Sequence, residues 1–192
     1  MVKIPGGYTA LELIVAITVM AILMGATFTS FRSGESESEL QAATDQLEAH
    51  LRLLQQRAQS SVVTCGTSDY GIQFSPTGDP TRYRLFADCP GGSDDVYDVG
   101  DIMIYTGESE FSVSNVEINE WFDGTNSHTS AASILFKSLT RDLRVNGVEP
   151  AGDDRVSILL KHSSGGCKRI DLESSSHMIL TLEDSDCDSS TP

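Results

Sequence analysis

The chain has 192 residues, with 13 Lys and Arg against 28 Asp and Glu, a formal net charge of −15 at pH 7. A length of this order fits one domain, or one domain with an appendage. So acidic a chain repels phosphate backbones, whose binding rests on Lys and Arg neutralising charge and releasing counterions, and this argues against nucleic acid as a partner.

The ordinary hydrophobic fraction of 39% conceals a segregated sequence, because residues 13–26 are apolar at every position except Thr18. Residues 8–31 carry a single charge, Glu12, and as a helix they would reach roughly 36 Å at about 1.5 Å per residue, enough to span a bilayer. A cleaved secretory signal would explain Lys3 and the apolar run, but the exit Met24-Gly25-Ala26-Thr27-Phe28 lacks an A-x-A cleavage pattern. A plain anchor explains the length and leaves Glu12 over. A carboxylate in an apolar helix costs about 2.5–3.5 kcal/mol on insertion scales, unless it lies near the end and snorkels to the headgroups.

The local words separate these readings. Lys3-Ile4-Pro5-Gly6-Gly7 precedes Tyr8-Thr9-Ala10-Leu11-Glu12-Leu13-Ile14-Val15. This closely resembles the type IV prepilin signal: a short basic leader ending in Gly, then an aromatic, Thr, two apolar residues, Glu and a long apolar helix. That family includes pilins and the pseudopilins of type II secretion. The resemblance implies a leader peptide at 1–7, prepilin peptidase cleavage between Gly7 and Tyr8, N-methylation of Tyr8, and a role for Glu12 in pairing with the N-terminal amine of a neighbouring subunit during assembly. Tyr8 stands where Phe is usual, and Lys3 is the only basic residue of the leader. The presence of the Glu points to a bacterial protein.

Ala21, Gly25, Thr29 and Ser33 recur every four residues, a spacing at which small side chains let helices approach closely. After Phe31 the chain turns polar and acidic through 32–39. A helical stripe then resumes at Leu40, Ala43, Leu47, Leu51, Leu54 and Ala58, with Asp45, Glu48, Arg52 and Arg57 among the polar positions between. The expected organisation is therefore a membrane-spanning and filament-core helix over 8–31 and an amphipathic second half over 32–60. Together they would form one helix of roughly 80 Å whose stripe packs on a following sheet.

Beyond residue 60, β-rich words alternate with turn residues. Strands are expected at 61–65, 70–74, 83–87, 101–105, 112–118, 133–136, 156–161, 168–172 and 178–182, with hairpins joining 70–74 to 83–87 and 156–161 to 168–172. Residues 61–192 thus read as a mainly antiparallel β head, and the fold class as α+β, a long N-terminal helical spine on a β-sheet head. That is the pilin plan. The stem ending Gln-Gln-Arg-Ala-Gln, followed by Tyr70-Gly71-Ile72-Gln73-Phe74 and Tyr83-Arg84-Leu85-Phe86-Ala87-Asp88, is similar to FimT/GspH-type minor pilins and pseudopilins.

Cys65, Cys89, Cys167 and Cys187 show no C-x-x-C spacing, so neither a zinc ribbon nor a thioredoxin-like site is expected. An even count beyond a membrane segment suggests two disulfides outside the cytoplasm. Neighbour pairing, Cys65 with Cys89 and Cys167 with Cys187, is the simplest of three connectivities. Acidic groups at Asp94, Asp95, Asp98 and Asp101, and at Asp184, Asp186 and Asp188, invite a calcium reading. The tail lacks the Gly and the twelfth-position Glu of a calcium loop, and solvated acidic loops are the favoured reading. The basic groupings Arg82/Arg84, Lys137/Arg141/Arg144 and Lys168/Arg169 are sparse for DNA uptake.

None of the short motifs of metalloproteases, phosphate-binding loops or serine hydrolases occurs, and His50, His128, His162 and His177 are scattered. The expectation is a non-enzymatic filament subunit without cofactor or metal. Its partners would be prepilin peptidase, other pilin or pseudopilin subunits, and the inner-membrane assembly platform. It would sit in the bacterial inner membrane as a single-pass protein with an extracytoplasmic head, before entering a pilus or pseudopilus. The alternative is a membrane-anchored extracytoplasmic module that binds cargo or DNA.

Overall fold

The computed structural model describes residues 9–75, 78–91, 96–98, 100–104, 109–110, 115–123, 126–128, 132–138, 142–150, 155–173 and 179–184, with the backbone alone at 26–33, 109–110, 123, 126–128 and 182–184. Helix α1 spans Ala10–Gln59. Thr9 caps its start, and Arg57 lies in its last turn, where a cation complements the carbonyl end of the helix dipole. The expected stripe is what roots it: Leu40, Ala43, Leu47, Leu51, Leu54 and Ala58 are all buried. Each large side chain among them contributes about 1.5–3 kcal/mol of burial.

Eleven strands follow among the described residues: β1 Tyr70–Phe74, β2 Arg82–Ala87, β3 Ile102–Met103, β4 Ser109–Glu110, β5 Val116–Asp123, β6 Asn126–His128, β7 Ser133–Phe136, β8 Leu143–Val145, β9 Arg155–His162, β10 Cys167–Glu173 and β11 Ile179–Asp184. They form two sheets. The first runs β3-β2-β1-β7-β8 with β4 also on β2, and the second runs β11-β10-β9-β5-β6. Every pairing is antiparallel. Both expected hairpins are present, with Ile72 opposite Leu85 and Ile170 opposite Ile158.

The core lies where the second half of α1 meets both sheets. Alternation sends Tyr70, Ile72 and Phe74 of β1 and Tyr83, Leu85 and Ala87 of β2 into it from the first sheet, and Val156, Ile158 and Leu160 of β9 with Ile170 and Leu172 of β10 from the second. The helix touches β1 and β7 on one side and β5, β9, β10 and β11 on the other.

This overturns the expected α+β pilin fold, a long helical spine over 8–60 packed on a mainly antiparallel β-sheet head. The architecture is dominated by two antiparallel sheets. The helical side chains described fall in two short stretches, 10–25 and 34–59, and only the second joins the core. The physical reason lies in 32–39, a polar stretch without an apolar stripe, so among the described side chains the helix contributes none to the apolar core before Leu40. Among the described residues no helix is long and apolar enough to cross a membrane; of the span expected over 8–31, Tyr8 lies outside the described residues and 26–31 are described in backbone only.

The strand expected at 61–65 is also corrected. Ser61 and Cys65 take positive φ values of 52° and 49°, and only an isolated bridge between Thr64 and Thr67 forms there. Short β3 replaces the strand expected at 101–105. The strand expected at 112–118 begins at Val116, residues 112–114 lying outside the described residues.

Candidate functional site

Gly7 and Tyr8, the expected cleavage and methylation positions, lie outside the described residues. Glu12 is described, and its carboxylate folds back on its own helix start. Oε2 accepts from the Thr9 amide at 3.0 Å and from the Thr9 hydroxyl at 3.2 Å, while the Glu12 amide donates to Thr9 Oγ1 at 3.3 Å. This is a capping box, which satisfies amide donors at the helix start reciprocally. The pattern T-x-x-E before an apolar run is the sequence signal of such a box, and it gives Glu12 a local capping role beside the one expected in assembly.

Beyond the box the surface is apolar. Leu11, Leu13, Ile14, Val15, Ile17, Val19, Met20, Ile22, Leu23 and Met24 are all exposed. The Thr18 hydroxyl bonds back to the Ile14 and Val15 carbonyls at 3.0 and 2.9 Å, so it adds no unsatisfied donor to that surface.

Of the cysteines, Cys65 and Cys89 form the expected disulfide. Cys167 is also disulfide-bonded, and Cys187 lies outside the described residues. The first bridge ties the segment after the helix to the end of β2, where Tyr70 Oη donates to the Val62 carbonyl at 2.7 Å and bonds Thr64 Oγ1 at 2.9 Å.

The acidic groups do not assemble a cation site among the described residues. Asp94, Asp95, Asp186 and Asp188 lie outside them, and Asp184 is described in backbone only. Asp98 and Asp101 do meet, but their oxygens serve a turn. Asp101 accepts from the Cys89 and Asp98 amides at 2.8 Å each, and Asp98 accepts from Gly100 at 2.7 Å. Burial raises the Asp101 carboxyl above its ordinary value.

The basic groupings are dispersed onto internal partners. Arg82 meets Asp79 at 3.2 Å, Arg84 lies over the Tyr97 ring at 5.3 Å, Lys137 meets Asp69 at 3.6 Å and Arg144 meets Glu149 at 3.4 Å. Arg169 meets Asp171 at 3.3 Å, and Lys168 bonds Gln41 of the helix. Arg141 lies outside the described residues.

Two histidines join the helix to the sheets. His50 Nδ1 lies 2.8 Å from Tyr83 Oη, which also accepts from Gln46 Nε2 at 3.0 Å, so α1 is hydrogen-bonded to the first sheet. Burial lowers the His50 pKa. His162, at the end of β9, bonds Glu39 on the helix and Ser164 in the following turn. Nothing in the sequence pairs residues 39 and 162, so this group was not legible there. His177 lies outside the described residues, and His128 is described in backbone only.

Comparison with protein-family models, characterised proteins and solved structures found no match to this chain.

Proposed function

We propose that the chain is a non-enzymatic structural subunit, a minor pilin or pseudopilin, of a bacterial type IV pilus or type II secretion pseudopilus. The observation that carries this reading is the phased N-terminal signal, Gly7, Tyr8, Thr9 and Glu12 ahead of an apolar run. It rests on that signal and not on a pilin fold.

Prepilin peptidase cuts after Gly7, Tyr8 is methylated, and the N-terminal helix then enters a filament through the inner-membrane assembly platform. The row of exposed apolar side chains from Leu11 to Met24 is the physical support. Such a surface is stable only in apolar surroundings: the inner membrane before assembly, and neighbouring subunits' helices after it. The Cys65–Cys89 disulfide fits a head that folds outside the cytoplasm.

Glu12 has two states in this scheme. It caps its own helix through Thr9, and in a filament it faces the N-terminal amine of a neighbour, a pairing that makes a carboxylate tolerable in an apolar seam. Mass spectrometry of the mature protein is expected to find methylated Tyr8 as the first residue. Glu12→Gln is expected to leave the head folded while incorporation into filaments is lost. A mature protein that retains Met1 in cells with active prepilin peptidase would refute the reading.

A further inference from the structure

His162 is only 4% exposed, yet the tip that follows it, residues 163–166, is open to solvent. Each ring nitrogen has a partner. The Ser164 amide donates to Nδ1 at 3.1 Å, the Ser164 hydroxyl oxygen lies 2.7 Å from the same nitrogen, and Nε2 stands 2.8 Å from Glu39 Oε2. An amide N–H can only donate, so Nδ1 is the unprotonated nitrogen and the ring proton sits on Nε2, aimed at the carboxylate. Glu39 also accepts from Asn115 Nδ2 at 3.2 Å. The hydrogen bonds from His162 and then Asn115 hold its carboxyl below its ordinary value, so it stays an anion.

We propose that Ser164, His162 and Glu39 form a nucleophile, base and orienting carboxylate, and that Ser164 is an acyl-accepting serine that reacts with activated esters. A serine hydroxyl is a weak nucleophile until a base lies within hydrogen-bond reach and a third group orients that base. Such a unit is recognised by geometry and role, not by sequence position. All three roles are filled here, with the ring turned so that Nδ1 serves the hydroxyl and Nε2 the carboxylate. Access is open as well. The next two residues are Gly165 and Gly166, at φ of +100° and +87°, and a Cβ built on Gly165 meets nothing within 4 Å. On so open a tip the reactivity of the acyl donor, more than its shape, decides what reacts.

In the step, the Ser164 amide gives up its bond to His162 Nδ1, Ser164 Oγ attacks the ester carbonyl carbon as its proton passes to that nitrogen, and Glu39 balances the imidazolium through Nε2–H. Collapse breaks the bond to the leaving alcohol, which departs with the proton from Nδ1. The products are an acyl ester on Ser164, the free alcohol and a neutral imidazole. The acyl group would then sit on the open tip after β9, with the His162 ring between it and Glu39. This goes beyond a structural role in a filament and does not depend on it.

The test treats the detergent-solubilised full chain with p-nitrophenyl acetate, follows p-nitrophenol release and locates the acetyl group by peptide mass spectrometry. Ser164 is expected to acquire it at least about a hundredfold faster than exposed Ser163, the scale of general-base assistance. Ser164→Ala, a change at an exposed position, should abolish the fast phase with the fold intact. Ser163→Ala should leave it unchanged. Glu39 is a positioning residue, so Glu39→Gln should slow acetylation and move its pH profile, with Glu39→Asp restoring part of the rate. Equal acetylation of Ser163 and Ser164, a fast phase that survives Ser164→Ala, or acetyl groups on lysines alone would overturn the proposal.

Discussion

Gly71 sits in the middle of β1 because the ring of Phe86 lies across it. A Cβ there would stand 2.5 Å from Phe86 Cζ and 2.9 Å from the Ile134 carbonyl oxygen. The ring could swing aside, but the carbonyl belongs to the backbone of β7, the strand paired with β1 on its other edge. Gly71→Ala should therefore destabilise the protein by about 2 kcal/mol, within the usual cost of overpacking, as read from the urea midpoint. An unchanged midpoint would mean that Phe86 and β7 shift freely. At this scale the sequence was readable where one residue acts with its near neighbours. The stripe from Leu40 to Ala58 follows from local spacing, and the Cys65–Cys89 bridge is the simplest of the pairings that spacing leaves open. The meeting of His162 with Glu39 does not, because the two are 123 residues apart and each is unremarkable in its own segment.

Among the elements, the long β-rich words became strands, and the expected hairpins β1–β2 and β9–β10 formed with alternate residues, Tyr70, Ile72 and Phe74 beside Tyr83, Leu85 and Ala87, in the core. Short β4, β6 and β8 were not legible, since two or three residues are too few to show a period. The segment 61–65 misled for a different reason. Val62, Val63 and Thr64 have strand propensity, but the segment sits between the helix end and a cysteine tied to β2, and this geometry imposes a turn. The bridge spans 24 residues of sequence, and closing such a loop is worth about 3 kcal/mol in the chain-entropy model. A Cys65→Ser, Cys89→Ser double variant should lose about that much stability in urea without reductant. A loss under about 1 kcal/mol would mean that the Tyr70 bonds to Val62 and Thr64 already hold the segment without the bridge.

For the whole molecule, two groups that join helix to sheets, His50 and Glu39, together with Asp79 and Asp101 in the loops, set the acid side of the stability curve. Burial lowers the His50 pKa from its ordinary 6.5, so its contribution is complete above that value and is lost as pH falls through the folded value. Glu39 is lowered from 4.5 by His162 and Asn115, and Asp79 from 3.8 by the Thr81 hydroxyl and amide and by Arg82. Their contributions are complete above those values and are lost as pH falls through each lowered one. Asp101 runs the other way. It is raised from 3.8 by burial, so it favours the folded state at low pH and gives up that contribution as pH rises through its folded value. Stability should therefore fall in two stages on acidification, the first beginning below about pH 6.5 and the second below about 4.5, with Asp101 softening the second. Urea midpoints measured from pH 7 to 3 check this. His50→Gln should flatten the first stage and leave the second, while Glu39→Gln should do the reverse. The stages are separable because the two residues grip opposite sheets: His50 holds Tyr83 of the first, and Glu39 holds His162 of the second. If both variants flattened the same stage, the two contacts would be one cooperative unit, and the helix would be seated on both sheets at once.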